Sequence, residues 1–134
     1  MPRWCADQRV TSVVTFTKVK APFGWLGNMA PFPVKHEELI YPTTEALFQA
    51  LRFDDKGIRE AIRSHKSPMA AKMTAKANAD RMVVTRLSNL DIENMRLVLK
   101  LKVEQHPSLI PLLLETKQAT IVEDVSARRG GSAL

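Results

Sequence analysis

The stretch Tyr41–Phe53, "YPTTEALFQALRF", decides how this chain is read. Pro42 followed by Thr43 and Thr44 is a helix start, because either threonine hydroxyl can accept from the first orphan amides of a helix. The helix should run to about Phe53. On it Glu45, Phe48, Gln49 and Arg52 stand at i, i+3, i+4 and i+7, so a carboxylate, an aromatic ring, an amide and a guanidinium line one side. Glu45 and Arg52 would lie roughly 10 Å apart along the axis at ~1.5 Å rise per residue, a span that a sugar phosphate could bridge. Singly, each has a structural reading: an acid in the first turn suits the helix dipole whatever its role, and a phenyl ring is more often core than platform. The four together on one face make a candidate site.

Upstream, Thr11–Lys18 ("TSVVTFTK") is β-branched with one aromatic and reads as a first strand, broken by Pro22 and Gly24. Phe23–Pro33 ("FGWLGNMAPFP") is a poor strand and a poor helix, yet too apolar for a free loop, so it should pack beside something. Pro33–Tyr41 could form a hairpin or short strand pair around a charged centre. Downstream, Asp54-Asp55 caps a short helix, Lys56–His65. Ser67-Pro68 then sets a capping hydroxyl before a proline at the first helical position, where its missing N–H costs nothing, and predicts a helix over Pro68–Ala79. Lys72 sits one turn inside it, where a phosphate could use both its ammonium and the helix start; a solvated lysine is the plainer reading.

The longest periodic segment, Asn89–Gln105, places Ile92, Met95, Leu99 and Val103 on one face and Leu90, Leu97 and Leu101 roughly opposite. A helix apolar on two sides belongs in the middle of a domain. Pro107–Thr116 gives one more helix and Ala119–Asp124 ("ATIVED") a closing strand. There is no internal repeat or linker, so a single domain over residues 1–134 is expected.

Composition narrows the function classes. With 45% hydrophobic and 25% charged residues, one compact core is expected. The longest apolar stretch, Leu109–Leu114, is interrupted by Pro111 and falls far short of the ~20 residues of a membrane span. The start "MPRWCADQRV" carries no apolar run of signal-peptide length, and Cys5 alone cannot form an internal disulfide; both agree with a cytoplasmic, reducing setting. Net charge +6 and a pI near 9.8 favour anionic partners, although basic residues dispersed from Lys18 to Arg129 also describe a solubilising surface. His36, His65 and His106 are isolated and no HxxxH or CxxC spacing exists, so no metal site is expected. No dinucleotide fingerprint, P-loop or nucleophile elbow is present. The tail "SARRGGSAL", Ser126–Leu134, is either a phosphate-touching loop or a frayed end.

Several ordered segments resemble one family, the NADAR (NAD- and ADP-ribose-associated) proteins, over about Phe23–Asp124. Leu26–Met29 ("LGNM") resembles the family's aromatic-Ser-Asn-Phe loop, with Asn28 matching. Pro42–Ala50 ("PTTEALFQA") is similar to its Pro-Thr-(Ser/Thr)-Glu-His-x-(Tyr/Phe)-Gln-Ala helix, and Ser67–Lys72 ("SPMAAK") to its Ser-Pro-x-x-Ala-(Lys/Arg) segment. Met95–Gln105 ("MRLVLKLKVEQ") resembles its long-helix motif, and "LLLET" with "IVE" its Leu-Leu-x-Thr and following Val-Glu. Departures are Ala46 for the family histidine, Arg52 for a lysine, and Leu87 where many members carry tryptophan. The family pattern normally continues with Trp-Gly and Asn-x-Leu-Gly segments absent up to Leu134, so a shortened member is expected.

The resemblance implies a mostly helical α+β single domain with a small β-sheet. It also implies an N-glycosidase, acting on a riboflavin-pathway intermediate or on ADP-ribosylated guanine. Glu45 would be the catalytic carboxylate, and Lys72 the remaining amine if the family lysine at the place of Arg52 acts as a nucleophile. Trp25, Gly27, Asn28, Phe48, Gln49, Arg52 and Glu123 would contact substrate, with no cofactor and no metal. The partner would be a small ribose-phosphate or ADP-ribosyl molecule, or ADP-ribosylated nucleic acid, with no membrane. The alternative is a non-catalytic ADP-ribose, nucleotide or nucleic-acid-associated module.

Overall fold

The computed structural model describes residues 12–125; Cys5 and the Ser126–Leu134 tail, with Arg128 and Arg129, lie outside the described residues. In chain order the elements are β1 (Val13–Phe16), β2 (Val34–His36), β3 (Leu39–Tyr41), α1 (Thr44–Ala50), α2 (Lys56–Arg63), α3 (Pro68–Ala77), α4 (Asn89–Gln105), α5 (Leu109–Glu115) and β4 (Thr120–Glu123). Short 3₁₀ turns occur at Gly24–Leu26 and Ala79–Arg81. The fold is α+β and mostly helical, as expected, but its small sheet is in two pieces, a β1–β4 ladder and a β2–β3 hairpin. The described residues form two compact units, Asn28–Pro107 and a unit made of residues 12–27 with 108–125.

In the Asn28–Pro107 unit, β2 and β3 pair antiparallel with Val34 opposite Tyr41 and His36 opposite Leu39. Their two-residue connection holds both Glu37 (φ 51°) and Glu38 (φ 69°) in the left-handed region, as a type I′ hairpin turn demands. The outer edge of β2 is closed by the end of α4. The Gln105 side chain accepts from Lys35 N at 2.7 Å and donates to Lys35 O at 2.8 Å, while His106 Nε2 lies 2.6 Å from Pro33 O.

Thr43 caps α1, its hydroxyl accepting from Ala46 N at 3.1 Å. The helix closes at Ala50, three residues before its expected end, because the last turn tightens: Arg52 N and Phe53 N bond to Gln49 O and Ala50 O. The Arg52 carbonyl then accepts from Val83 N at 2.9 Å instead of continuing the ladder. All seven residues of α1 are buried. It packs against α2, α3 and α4, with Ala46 and Ala50 on its own turns and Ala71 and Ala75 on α3 in the same core as Leu47, Phe53, Ile62 and Val98. Small residues two turns deep let helix axes approach closely.

This corrects the place of the long helix. Asn89–Gln105 was expected to be central and apolar on two sides, yet Leu90, Ile92 and Leu99 are exposed, and its fully buried residues are Asp91, Val98 and Lys102. The central element is the short α1, whose alanines and threonine fit where larger residues would not. Two other caps follow the sequence, Asp55 accepting from Ile58 N and Ser67 from Ala70 N, and Ser88 adds one that was not expected, accepting from Asp91 N.

In the other unit, β1 and β4 pair in parallel, Val13 opposite Thr120 through Phe16 opposite Glu123, with α5 leading into β4. Pro111 is tolerated in the first turn of α5, where its missing N–H has no helical partner to lose. Gly24 is required where it stands, since a Cβ there would collide with the Val19 carbonyl.

A buried carboxylate–amide–guanidinium chain as candidate active site

The four residues singled out on Tyr41–Phe53 form one bonded chain. Glu45 Oε2 accepts from Gln49 Nε2 at 2.7 Å, and Gln49 Oε1 accepts from Arg52 Nη1 at 3.4 Å. The Arg52 guanidinium carbon also sits 4.6 Å above the Phe48 ring centroid, a cation–π contact. The i, i+4 and i, i+3 spacings of one helix face bring these groups together. The face is not a solvated stripe: Glu45 is 9%, Gln49 6% and Arg52 7% exposed.

Burying a guanidinium is costly unless it is paired, and its partner comes from α4. Arg52 donates through Nε to Asp91 Oδ1 at 2.9 Å and through Nη2 to Asp91 Oδ2 at 2.8 Å, a fork-to-fork pair. The bidentate edge of Arg52, a residue expected to contact substrate, is therefore occupied by Asp91. Asp91 is 2% exposed. Burial alone would raise its carboxyl, but hydrogen bonds from Arg52 and Leu87 N–H, with the charges of Arg52 and Arg86, outweigh that and hold it below its ordinary range. Asp91 stays ionised, Arg52 stays put, and the amide of Gln49 is fixed with its N–H toward Glu45.

The other end of Glu45 is anchored by the loop. Its backbone N–H donates to Asn28 O at 3.2 Å, and Thr44 Oγ1 donates to Asn28 Oδ1 at 2.9 Å. The Asn28 amide in turn lies 3.3 Å from Met95 Sδ on α4. The matched asparagine of "LGNM" thus sits directly before Glu45 in space, although the two are seventeen residues apart in sequence.

The remaining predicted residues are carried by other elements. Lys72 is half-buried on α3 and makes no side-chain hydrogen bond or ion pair among the described residues. Trp25 and Gly27 belong to the 3₁₀ turn and its cap, and Glu123 ends β4, all in the second unit. Three participants were not foreseen. Thr44 anchors Asn28 instead of capping, Asp91 holds Arg52, and Lys102 is a second buried charge, 3% exposed and 5.1 Å from the Phe32 ring. Burial pushes the Lys102 ammonium down to about 8. A signal for the last two existed: Asp91, Met95, Val98 and Lys102 stand at i, i+4, i+7 and i+11, one stripe of α4, visible only if charged residues are counted with apolar ones.

Among the described residues no group of three or more His, Cys, Asp or Glu side chains is arranged to hold a metal ion, and no helix is long and apolar enough to cross a membrane.

Comparison with known proteins identifies relatives of the chain. The chain is similar to N-glycosidase YbiA of Escherichia coli K12, 36% identical over 114 residues that span 84% of this chain and 69% of the relative. It is also similar to N-glycosidase YbiA of Shigella boydii serotype 4, 34% identical over 112 residues with the same coverage. Its fold resembles the NMR structure of the E. coli protein YbiA with a TM-score of 0.72 and 32% identity, covering 85% of this chain and 68% of that one. The model of the NADAR domain matches residues 15–129. The chain belongs to the NADAR domain family.

Proposed function

We propose that this protein is an N-glycosidase that hydrolyses the bond between a ribose phosphate, or an ADP-ribose, and a nitrogen base, with a riboflavin-pathway intermediate or ADP-ribosylated guanine as substrate. The observation that carries the reading is the Glu45 carboxylate, held in the first turn of α1 by an amide that a buried ion pair orients. The names of the relatives support the reaction class.

Breaking a ribosyl C–N bond sends its electron pair to the base, which takes up a proton, and leaves an oxocarbenium-like carbon that water attacks. A fixed carboxylate serves this twice, by facing the developing positive charge and by accepting the proton of the attacking water. Glu45 has that role. Gln49 and Arg52 act as positioning residues, and Asn28 fixes where α1 begins. Lys72, with its ammonium uncommitted among the described residues, is the cation for a phosphate. Arg52 covers one face of Phe48. A cytoplasmic setting belongs to the same reading, because a phosphorylated riboside is charged and is retained by membranes.

The test is base release from an aminopyrimidine ribose phosphate and from ADP-ribosylated guanosine, comparing wild type with Glu45→Gln. A fall of roughly 10²- to 10⁴-fold is expected. Undiminished release would remove Glu45 from the mechanism, and ADP-ribose binding with no release from either substrate would overturn the hydrolase reading.

A further inference from the structure

A cavity of about 400 Å³ opens between the β2–β3 hairpin and α2, and it shares no lining residue with the Glu45 chain. Leu39 gives it an apolar side, and Lys56, Arg59 and Arg63 give it three cations. Of these, Arg63 is spoken for: it donates to Glu60 at 3.0 and 2.7 Å and to the Ile40 carbonyl at 3.0 Å, which ties α2 to the hairpin and neutralises Glu60. Arg59 and Lys56 are different. Arg59 is half-buried, and neither side chain has a hydrogen-bond or ion-pair partner among the described residues.

Tyr41 is a second, independent sign. It is 2% exposed and lines the cavity, and its hydroxyl has no partner among the described residues. No fully buried side-chain oxygen or nitrogen there lacks a partner, so the sliver of Tyr41 that remains accessible includes the hydroxyl, turned to the cavity. A phenol donor and two uncommitted cations around one space match the acceptor oxygens of an anion. The opposing carboxylate, Glu37, stands at the exposed rim and leans to His36 at 3.8 Å.

We propose that this cavity is a second anion site, binding a phosphoryl group through Arg59, Lys56 and the Tyr41 hydroxyl. The group comes either from a free phosphorylated molecule or from a nucleic-acid strand, and the proposal does not depend on glycosidase activity.

The test is an amide NMR titration of the full chain with inorganic pyrophosphate and, separately, with a short oligothymidylate. Saturable shifts are expected at residues 37–41 and 56–63. Arg59→Gln should weaken binding about tenfold, and Lys56→Gln, at an exposed position that folding does not need, by a similar factor. Tyr41→Phe should weaken it about threefold. Tighter binding of the oligonucleotide with a steep salt dependence identifies a strand as the source, and equal binding identifies the free group. Absence of saturation, shifts confined to other residues, or unchanged affinity in both cation variants would overturn the proposal.

Discussion

Asp91→Asn tests the bonded chain at its root. The substitution keeps shape but replaces an acceptor-only carboxylate that takes bonds from Arg52 Nε, Arg52 Nη2 and Leu87 N at 2.8 to 3.0 Å. An asparagine oxygen can serve one side of that fork, while its NH₂ opposes another donor. The guanidinium, 7% exposed, loses its counter-charge. Breaking a buried pair by removing one partner costs about 3 to 5 kcal/mol. We expect about 3 kcal/mol in urea unfolding at pH 7 with an unchanged m value, and Tm lower by roughly 10 °C.

The pH dependence carries a sign. The folded carboxyl of Asp91 lies below its unfolded value, so its contribution is full above about pH 4 and is lost as pH falls through the folded pKa. The gap between wild type and Asp91→Asn should therefore narrow in acid. The double variant Arg52→Met, Asp91→Leu should recover much of the stability, because no charge is left buried, without recovering base release, because Gln49 is no longer oriented. A loss below about 0.5 kcal/mol, within the range of ordinary surface changes, or a gap constant down to pH 3, would refute the reasoning.

Lys102 gives a slope of the same sign at higher pH, because its folded pKa is lowered too. Its ammonium falls from 10.5 unfolded to about 8 folded, so wild-type stability should rise between those pH values, by roughly 3 kcal/mol at most. Lys102→Met should abolish that rise, and a chemical-denaturation series across pH 7.5 to 10 measures it; an identical slope in the variant would refute the assignment. The paired change Glu37→Asn with Glu38→Gly should raise stability by about 1 kcal/mol, since Asn-Gly adopts the two positive φ angles of the turn with less strain. Thermal unfolding checks it, and a lower Tm would count against the turn geometry.

Local signals made much of the fold legible. Caps at Thr43, Asp55 and Ser67 place three helix starts where hydroxyls and carboxylates accept orphan amides, and β-branched runs place both β1 and β4. Which helix occupies the centre was not legible, because α4 offers more apolar residues than α1 while α1 is the one small enough to be enclosed. Counting hydrophobic residues measures appetite for burial, whereas packing also asks what volume fits. The Glu45–Arg52 face was legible from helical spacing, and its burial was not, since the carboxylate that makes it affordable lies thirty-nine residues away from Arg52 on another helix. The parallel pairing of β1 with β4 was equally hidden, because it joins the two ends of the described chain and no hairpin turn announces it.

The bonds from Gln105 and His106 to β2 have a consequence for behaviour in a crowded solution. A two-stranded hairpin presents open backbone groups on its outer strand, and such an edge recruits strands from other molecules into aggregates. Here a side-chain amide satisfies both the N–H and the carbonyl of Lys35, imitating a neighbouring strand one residue long, and the imidazole shields the carbonyl of Pro33. The last turn of the long helix thus occupies the backbone groups that a strand from another molecule would otherwise pair with.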